Sequence, residues 1–299
     1  MENELVYQNF DYKIYLFLNS DIISDYSITN ILDEKTKTLA WNHYHKHGKK
    51  EERPLYPLNT TKTHNGRFGN LFFINMVCHF IALKYNLKFE YKYNEKFQKL
   101  GVELFSGSRT FTKKFVQLND ENFNEYIIFS HDPCNILINN KLWCQTEELV
   151  IQLQKYWSHP LYKKNIELKN NFNQRYNNNY DLFIHVRLGD LLEKNIDLKK
   201  YYTKCLDGST WERAYISSDT INSDFCRELI MKYNLNIVEA DEIDTIMFGS
   251  TCKTIILSGG TFSWMIGFFA FYTENIYYPY IQEPWYGRIF ESMPWKVIY

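Results

Sequence analysis

The most informative stretch of this sequence reads Leu182-Phe183-Ile184-His185-Val186-Arg187-Leu188-Gly189-Asp190. Its apolar first half is typical of a buried strand, and it runs directly into an arginine, a glycine and an aspartate. Parallel sheets bind ligands at the carboxyl ends of their strands. The stretch therefore predicts a buried strand that presents His185, Arg187 and Asp190 to a ligand. A simple ion pair between Arg187 and Asp190 is the alternative.

Downstream of this strand, short apolar runs alternate with helical patterns. Strands alternating with helices of this length indicate a parallel sheet with helices on both faces. The predicted strands are Asp181–Val186, Arg213–Ser217, Asn236–Glu239, Thr254–Leu257 and Ile276–Tyr278. The predicted helices are Leu198–Leu206, Ser223–Tyr233, Glu242–Ser250 and Thr261–Tyr272.

The pattern divides the chain into three parts. We expect residues 1–55 to form a small helical appendage, residues 56–175 an N-terminal domain and residues 176–299 a C-terminal Rossmann-like domain. The polar stretch Asn170–Asn179 is the predicted hinge. Within the middle part we expect a helix over Leu71–Tyr85, strands at 87–91 and 125–129, and a helix over Glu147–Trp157.

Composition excludes several classes of protein. The 299 residues carry a net charge of −1, which argues against a nucleic-acid binder, and an aromatic content of 18% argues against disorder. The six cysteines form no metal-binding pattern and are predicted to be reduced, buried thiols. His43 and His47 would share one helical face, but no carboxylate or thiol stands at ligand spacing, and Asp241 marks a helix start. We therefore predict no metal site.

The sequence also predicts where the protein resides. Its first residues are acidic, where a secretory signal would carry basic residues followed by an apolar core. The longest apolar run, Phe262–Tyr272, is far shorter than the ~20 residues that a membrane helix needs. We expect a soluble, cytoplasmic protein without a signal peptide or a membrane span.

A second candidate stretch reads Leu257-Ser258-Gly259-Gly260-Thr261-Phe262-Ser263-Trp264. Here a strand is followed by two glycines and a helix. Glycines let the backbone approach a ligand, and a helix start offers N–H donors and a positive dipole end. We expect Ser258, Thr261, Phe262 and Ser263 to contribute to an anion site. Alternatively, Thr261 only caps the helix.

Two further stretches carry polar groups beside glycines or strand ends. The loop Gly66-Arg67-Phe68-Gly69-Asn70 precedes a helix and matches neither common phosphate-binding glycine pattern. It is either a ligand-binding loop, with Phe68, Gly69 and Asn70 at the site, or an ordinary tight turn. The second stretch, Ser217-Ser218-Asp219, follows a strand and is expected near a phosphate or ribose, unless it caps the next helix.

In their order and separation, the glycine loop at 66–70, the H-x-R-x-G-D stretch at 185–190 and the S-G-G-T-F-S-W stretch at 258–264 resemble the fucosyltransferase superfamily. The resemblance is greatest to the α-1,2 type, glycosyltransferase family eleven, in its giant-virus or bacterial form. It covers about residues 62–272, so the 1–55 segment lies outside it. Leu188 stands where the family commonly has a second arginine.

The resemblance implies a GT-B-like α/β fold of two Rossmann-type halves facing a cleft, with residues 56–175 on the acceptor side and residues 176–299 binding the nucleotide sugar. It also implies an inverting, metal-independent transfer of a sugar, usually L-fucose, from GDP-fucose to a glycan hydroxyl, with GDP as the product and no cofactor. Arg187 would stabilise the departing diphosphate, and His185 would support the loop. Asp190 is the first candidate for the catalytic base and Glu193 the second, while Asn70 would orient the sugar or acceptor.

Two alternatives stay open. The chain could use a different nucleotide sugar through the same diphosphate site. It could also be a carbohydrate-binding protein that keeps the fold without turnover, although Arg187, Asp190 and Asn70 together favour an enzyme.

Overall fold

The computed structural model describes residues 7–53, 55, 58–111, 115–188, 197–282 and 287–299. This part of the chain is a mixed α/β protein with twelve α-helices and two parallel sheets. The helices are α1 Tyr12–Leu18, α2 Asp21–Asp25, α3 Glu34–His43, α4 Phe68–Tyr85, α5 Asn94–Leu100, α6 Phe123–Ile128, α7 Glu147–Trp157, α8 Pro160–Lys169, α9 Leu198–Asp207, α10 Asp224–Tyr233, α11 Glu242–Gly249 and α12 Thr261–Phe268. The strands are β1 Phe115–Gln117, β2 Asn135–Leu137, β3 Leu182–Val186, β4 Ala214–Ser218, β5 Asn236–Ile237, β6 Thr254–Ile256, β7 Asn275–Pro279 and β8 Lys296–Ile298.

The chain forms two compact units, each assembled from separate segments. The first unit comprises Met1–Asn65, Val77–Lys92 and Phe105–Leu142. The second unit comprises Gly66–Met76, Tyr93–Leu104 and Trp143–Tyr299. The glycine loop at 66–70 therefore belongs to the same unit as β3 and α12. The three-part division expected from sequence stays a prediction.

The first unit begins with a helical segment that has its own small core. The buried side chains of this core are Phe10, Tyr15, Leu16, Ile22 and Ala40. His43 is buried beside it, and its Nδ1 lies 2.9 Å from the hydroxyl oxygen of Tyr15. The hydrogen bond to Tyr15 satisfies the polar ring of the buried His43. The helical character expected for this segment is confirmed by α1, α2 and α3.

Two strand predictions in the first unit are wrong. Residues 125–129 were expected to form a strand, but most of them lie in α6, which connects the parallel pair β1 and β2. The side-chain oxygen of Asn119 accepts hydrogen bonds from the N–H groups of Glu121 and Asn122, and this turn leads the chain into the helix. Residues 87–91 make only isolated bridges, at Leu87 and Glu90.

The second unit contains a six-stranded sheet in the order β5-β4-β3-β6-β7-β8, with every pair parallel. Counted from β3, this is the strand order 3-2-1-4-5-6 of a doubly wound α/β sheet. All five residues of β3 are buried, as expected for a central strand covered on both faces. The five strands predicted in this region are confirmed, with every predicted end within two residues of the observed end, and β8 was not predicted.

Side-chain caps fix the starts of the helices in this unit. Asp197, Ser223 and Asp241 accept hydrogen bonds from N–H groups in the first turns of α9, α10 and α11 respectively. These caps are the reason the predicted helices begin where they do. Asp241 is therefore a helix cap, as expected from sequence.

The predicted hinge at 170–179 lies inside the second unit and is held there by hydrogen bonds. Asn170 Nδ2 donates to the carbonyl oxygen of Met247 at 2.9 Å. Arg175 forms an ion pair with Asp181 at 2.7 Å and lies 4.4 Å from the ring centroid of Phe248. These contacts fix the segment against α11 and β3, so it is not an open linker.

Helix α4 is long and apolar enough to cross a membrane, but 72% of it is buried inside the protein. Its first half packs within the second unit, where the Phe73 ring lies 4.9 Å from the ring of Trp264 on α12. The Phe72 ring packs against the same tryptophan and against Phe269. This is the environment of a core helix.

Candidate functional site

A cavity of about 400 Å³ opens in the second unit at the carboxyl ends of β3, β4 and β6. From β3 the chain adds β4 and β5 on one side of the sheet, and then β6, β7 and β8 on the other side. The strand order therefore reverses between β3 and β6. Doubly wound sheets bind their ligands at this point. The predicted residues that line the cavity are Phe68, Gly69, Asn70, His185, Arg187, Ser217, Ser218, Asp219, Thr261 and Phe262.

Two helices begin at the wall of this cavity. A methyl group added to Gly69 would lie 2.6 Å from the backbone nitrogen of Phe262, so only glycine lets the start of α4 approach the start of α12 this closely. The Thr261 hydroxyl donates a hydrogen bond to Asn70 Oδ1 at 2.7 Å. Both helices direct their positive dipole ends toward the cavity, which makes this wall suited to an anion.

Arg187 adds a full positive charge to the same wall. It follows β3 directly, and a methyl group on Gly260 would lie 2.8 Å from its Nη1 atom. The glycine therefore leaves room for the guanidinium beside the first turn of α12. Gly260 is also the N-cap of α12 and supplies no side-chain oxygen to the N–H groups of that turn. These donors suit a phosphate group, whose oxygens accept hydrogen bonds from a helix start.

The alternative role of Thr261, as the helix cap, is therefore not the one observed. Gly260 occupies the cap position and Thr261 is the first residue of the helix. Ser258 and Ser263, both expected to bind ligand, are fully buried behind the cavity wall. The Ser263 hydroxyl oxygen accepts a hydrogen bond from the Ser258 backbone nitrogen at 2.7 Å. These two serines support the loop from behind rather than line the cavity.

His185 lies at the base of the cavity as a neutral imidazole. Burial, and secondarily the positive charge of Arg187, lower the pKa of His185 to about 3. Its Nδ1 lies 3.2 Å from the Ser258 hydroxyl, and its carbonyl oxygen accepts a hydrogen bond from the Tyr202 hydroxyl. The residue therefore supports the loop after β3, as expected from sequence.

The end of β4 brings Ser217, Ser218 and Asp219 to the cavity. The Ser218 hydroxyl accepts a hydrogen bond from the backbone nitrogen of Thr220 at 3.0 Å and so shapes the turn after the strand. The alternative that Ser218 or Asp219 caps the next helix is wrong, because Ser223 caps α10. A carboxylate at this strand end is well placed for the hydroxyl groups of a ribose.

Several lining residues were not predicted. Gln145, which is buried, donates from Nε2 to Asn70 Oδ1 at 3.4 Å. Glu242 lines the cavity and forms an ion pair with Lys96, and Arg288 forms one with Glu291 at 2.5 Å. None of these residues stands in a glycine-rich motif or at the end of a predicted strand. Only the folded chain brings them to the cavity.

Three arginines and three carboxylates line the described wall of the cavity. Arg67, Arg187 and Arg288 face the carboxylates Asp219, Glu242 and Glu291. Glu242 is paired with Lys96 and Glu291 with Arg288, so each of these two carboxylates has a cation beside it. The two helix starts add to the positive side of this balance. The wall can therefore accept an anion and donate several hydrogen bonds to it.

Two of the predicted catalytic residues, Asp190 and Glu193, lie outside the described residues. Asn70, the third, lines the cavity beside Thr261. Over the described ranges, no group of three or more histidine, cysteine, aspartate or glutamate side chains is arranged to hold a metal ion. The six cysteines are buried as thiols.

Comparison of the chain with protein-family models, with curated proteins and with solved structures gives no match. The chemistry of the cavity is therefore inferred from its own residues.

Proposed function

We propose that this protein is an inverting glycosyltransferase that moves a sugar, L-fucose, from GDP-fucose to a hydroxyl group of a glycan. The observation that carries the proposal is the position of Arg187 beside the uncapped first turn of α12, at the point where the strand order of the sheet reverses. A GT-B-like fold, in which the second unit is the nucleotide-binding half, is part of the same proposal.

The diphosphate is the leaving group in such a transfer. As the bond between the anomeric carbon and the phosphate oxygen breaks, the electron pair goes to that oxygen and negative charge develops on the diphosphate. A guanidinium and helix N–H donors held in place before the reaction stabilise this charge without rearranging. Arg187 and the first turn of α12 perform this task without a divalent cation.

The remaining groups of the cavity suit the rest of the donor. Asp219 lies at the end of β4, where a carboxylate can accept hydrogen bonds from ribose hydroxyls. The amide of Asn70 is held by Thr261 close to the anion wall and can orient the sugar. The acceptor hydroxyl loses its proton to a base as it attacks the opposite face of the sugar. Asp190 and Glu193 are the candidates for that base.

Two experiments test the proposal. A thermal-shift screen against GDP, UDP, ADP and CDP should give the largest stabilisation with GDP, because a ligand that binds only the folded state raises the unfolding temperature. A hydrolysis assay with GDP-fucose then separates an enzyme from a binding protein. Slow release of fucose that is lost in Arg187→Ala supports turnover. Binding of GDP without any sugar release or transfer would favour the non-catalytic alternative.

A further inference from the structure

A second arginine, Arg288, stands at the same cavity on a segment that is fixed at two points. The backbone carbonyl of the next residue, the buried Ile289, accepts a hydrogen bond from Trp264 Nε1 at 2.9 Å. On the other side, a methyl group on Gly287 would collide with the carbonyl oxygen of Gln145. Because Trp264 belongs to α12, the segment that carries Arg288 is attached to the helix whose start forms the anion wall.

The guanidinium of Arg288 is already engaged by a carboxylate. Its Nη1 lies 2.5 Å from Glu291 Oε1, and both side chains line the cavity. The pair is about half exposed, so water and ligands reach it. A guanidinium has five N–H donors, and the contacts of Arg288 with Glu291 and Tyr280 leave others for a second anion.

We propose that Arg288 is a second cation for the diphosphate of the ligand, and that Glu291 is an internal competitor that weakens this contact and speeds product release. The inference rests on the proposed function. A diphosphate carries its negative charge on two phosphate groups, and Arg187 with the first turn of α12 accounts for one of them. Arg288 provides a separate guanidinium for the other.

The role of Glu291 follows from its charge. A diphosphate that contacts Arg288 also approaches the Glu291 carboxylate, because that carboxylate is paired with the same guanidinium, and like charges repel each other. The guanidinium must then share its donors between the carboxylate and the phosphate. Glu291 thus lowers the affinity for the product as well as for the donor, and a nucleoside diphosphate leaves faster than it would without this carboxylate.

The two residues therefore have opposite predicted effects. Arg288→Ala should weaken the binding of GDP and of inorganic pyrophosphate by about tenfold, as expected for the loss of one charge-assisted contact. Glu291→Gln keeps the size of the side chain but removes its charge. It should strengthen the binding of both ligands several-fold and slow the dissociation of GDP. Guanosine, which has no phosphate, should bind all variants equally.

The test is calorimetry for affinity and stopped-flow displacement for the dissociation rate. Asp224→Asn is the matched control, since Asp224 pairs with Arg227 at the same spacing outside the cavity lining and should leave both quantities unchanged. If Arg288→Ala and Glu291→Gln both bind GDP like the wild type, the inference alone is overturned. If the wild type binds neither GDP nor pyrophosphate, the proposed function falls and this inference with it.

Discussion

The guanidinium of Arg187 lies so close to Gly260 that a single methyl group on the glycine would stand 2.8 Å from Nη1. This relationship joins two stretches that are more than 70 residues apart in the sequence. Arg187 follows β3 and lies beside Gly260 at the start of α12. A glycine at position 260 leaves space for this side chain. In the proposed site, the glycine lets the arginine and the helix start contact the same anion.

Replacing Gly260 with alanine should therefore reduce ligand binding without loss of stability. The atom that the new methyl group meets is the end of a flexible side chain, so Arg187 can move away while the fold persists. We expect GDP affinity to fall by about tenfold or more, as for the loss of one charge-assisted contact, with an unchanged unfolding temperature.

Gly69→Ala provides the contrast, because its methyl group would meet the backbone nitrogen of Phe262 at 2.6 Å. Backbone cannot move away cheaply, and we expect a loss of about 1–3 kcal/mol in the free energy of unfolding, as for overpacking. Denaturant titration and calorimetry measure both effects. Equal stability losses in the two variants would contradict this account of the glycines.

Asp219 should bind the nucleoside rather than the phosphates. Its position at the end of β4 places it with the ribose in the proposed complex. Asp219→Ala should weaken GDP binding and leave pyrophosphate binding unchanged or slightly stronger, because a negative charge is removed. A donor-bound structure with Ser217, Ser218 and Asp219 all beyond hydrogen-bonding distance of the nucleotide would rule the role out.

The catalytic base is expected among the carboxylates that follow Arg187. Asp190→Asn should lower kcat by about 100-fold or more while GDP affinity stays near that of the wild type, since a base acts on the acceptor and not on the diphosphate. Glu193→Gln should behave in this way instead if that residue is the base. Transfer rates measured beside GDP titrations distinguish the two. Wild-type turnover in both variants would exclude both residues.

Burial of His185 makes the stability of the protein depend on pH. The folded pKa is lowered from the ordinary value of 6.5 to about 3, so between these values the unfolded chain binds a proton that the folded chain does not. The contribution of His185 to the free energy of unfolding is fully present above pH 6.5. It is lost as the pH falls toward 3, at up to about 1.4 kcal/mol per pH unit.

His185→Gln should therefore flatten the dependence of unfolding free energy on pH between about 4 and 6, even if it lowers stability overall. Denaturant midpoints across this range measure the slope. Burial also lowers the pKa of His79 to about 4, so His79 adds to the pH dependence of stability in the wild type and in His185→Gln alike. His159→Asn, at an exposed position, is the control. A slope in His185→Gln equal to that of the wild type would contradict the buried neutral imidazole.

The sheet of the second unit was predictable because its strands are short apolar runs separated by capped helices. Glu147–Trp157 was predicted with the bounds that α7 has, since Thr146 caps it and its apolar residues recur at helical spacing. The apolar run at 125–129 is compatible with a helix or a strand. It forms a helix because the turn at Asn119 leads the chain into α6. β8 is only three residues long and carries no such pattern.

For the site, residues next to strand ends were predictable and residues in irregular segments were not. Arg187 and Asp219 follow predicted strands, so the parallel sheet brings them to one edge. Ser258 and Ser263 were expected at the anion site together with Thr261, but both are buried inside the protein. Arg288 is brought to the cavity by the contacts of its neighbours, Ile289 with Trp264 and Gly287 with Gln145, which no local pattern reveals.

The most direct test of the proposed function is calorimetric titration of GDP into the wild-type protein and into Arg187→Ala. Arg213→Ala is the control, since Arg213 stands just before β4, at the opposite end of the strand from the cavity. We expect wild type and Arg213→Ala to bind GDP alike, with Arg187→Ala weaker by about 1–3 kcal/mol, several-fold to a few hundred-fold in affinity. Equal GDP affinity in wild type and Arg187→Ala, or no GDP binding by the wild type, would contradict the anion site on which the proposed function depends.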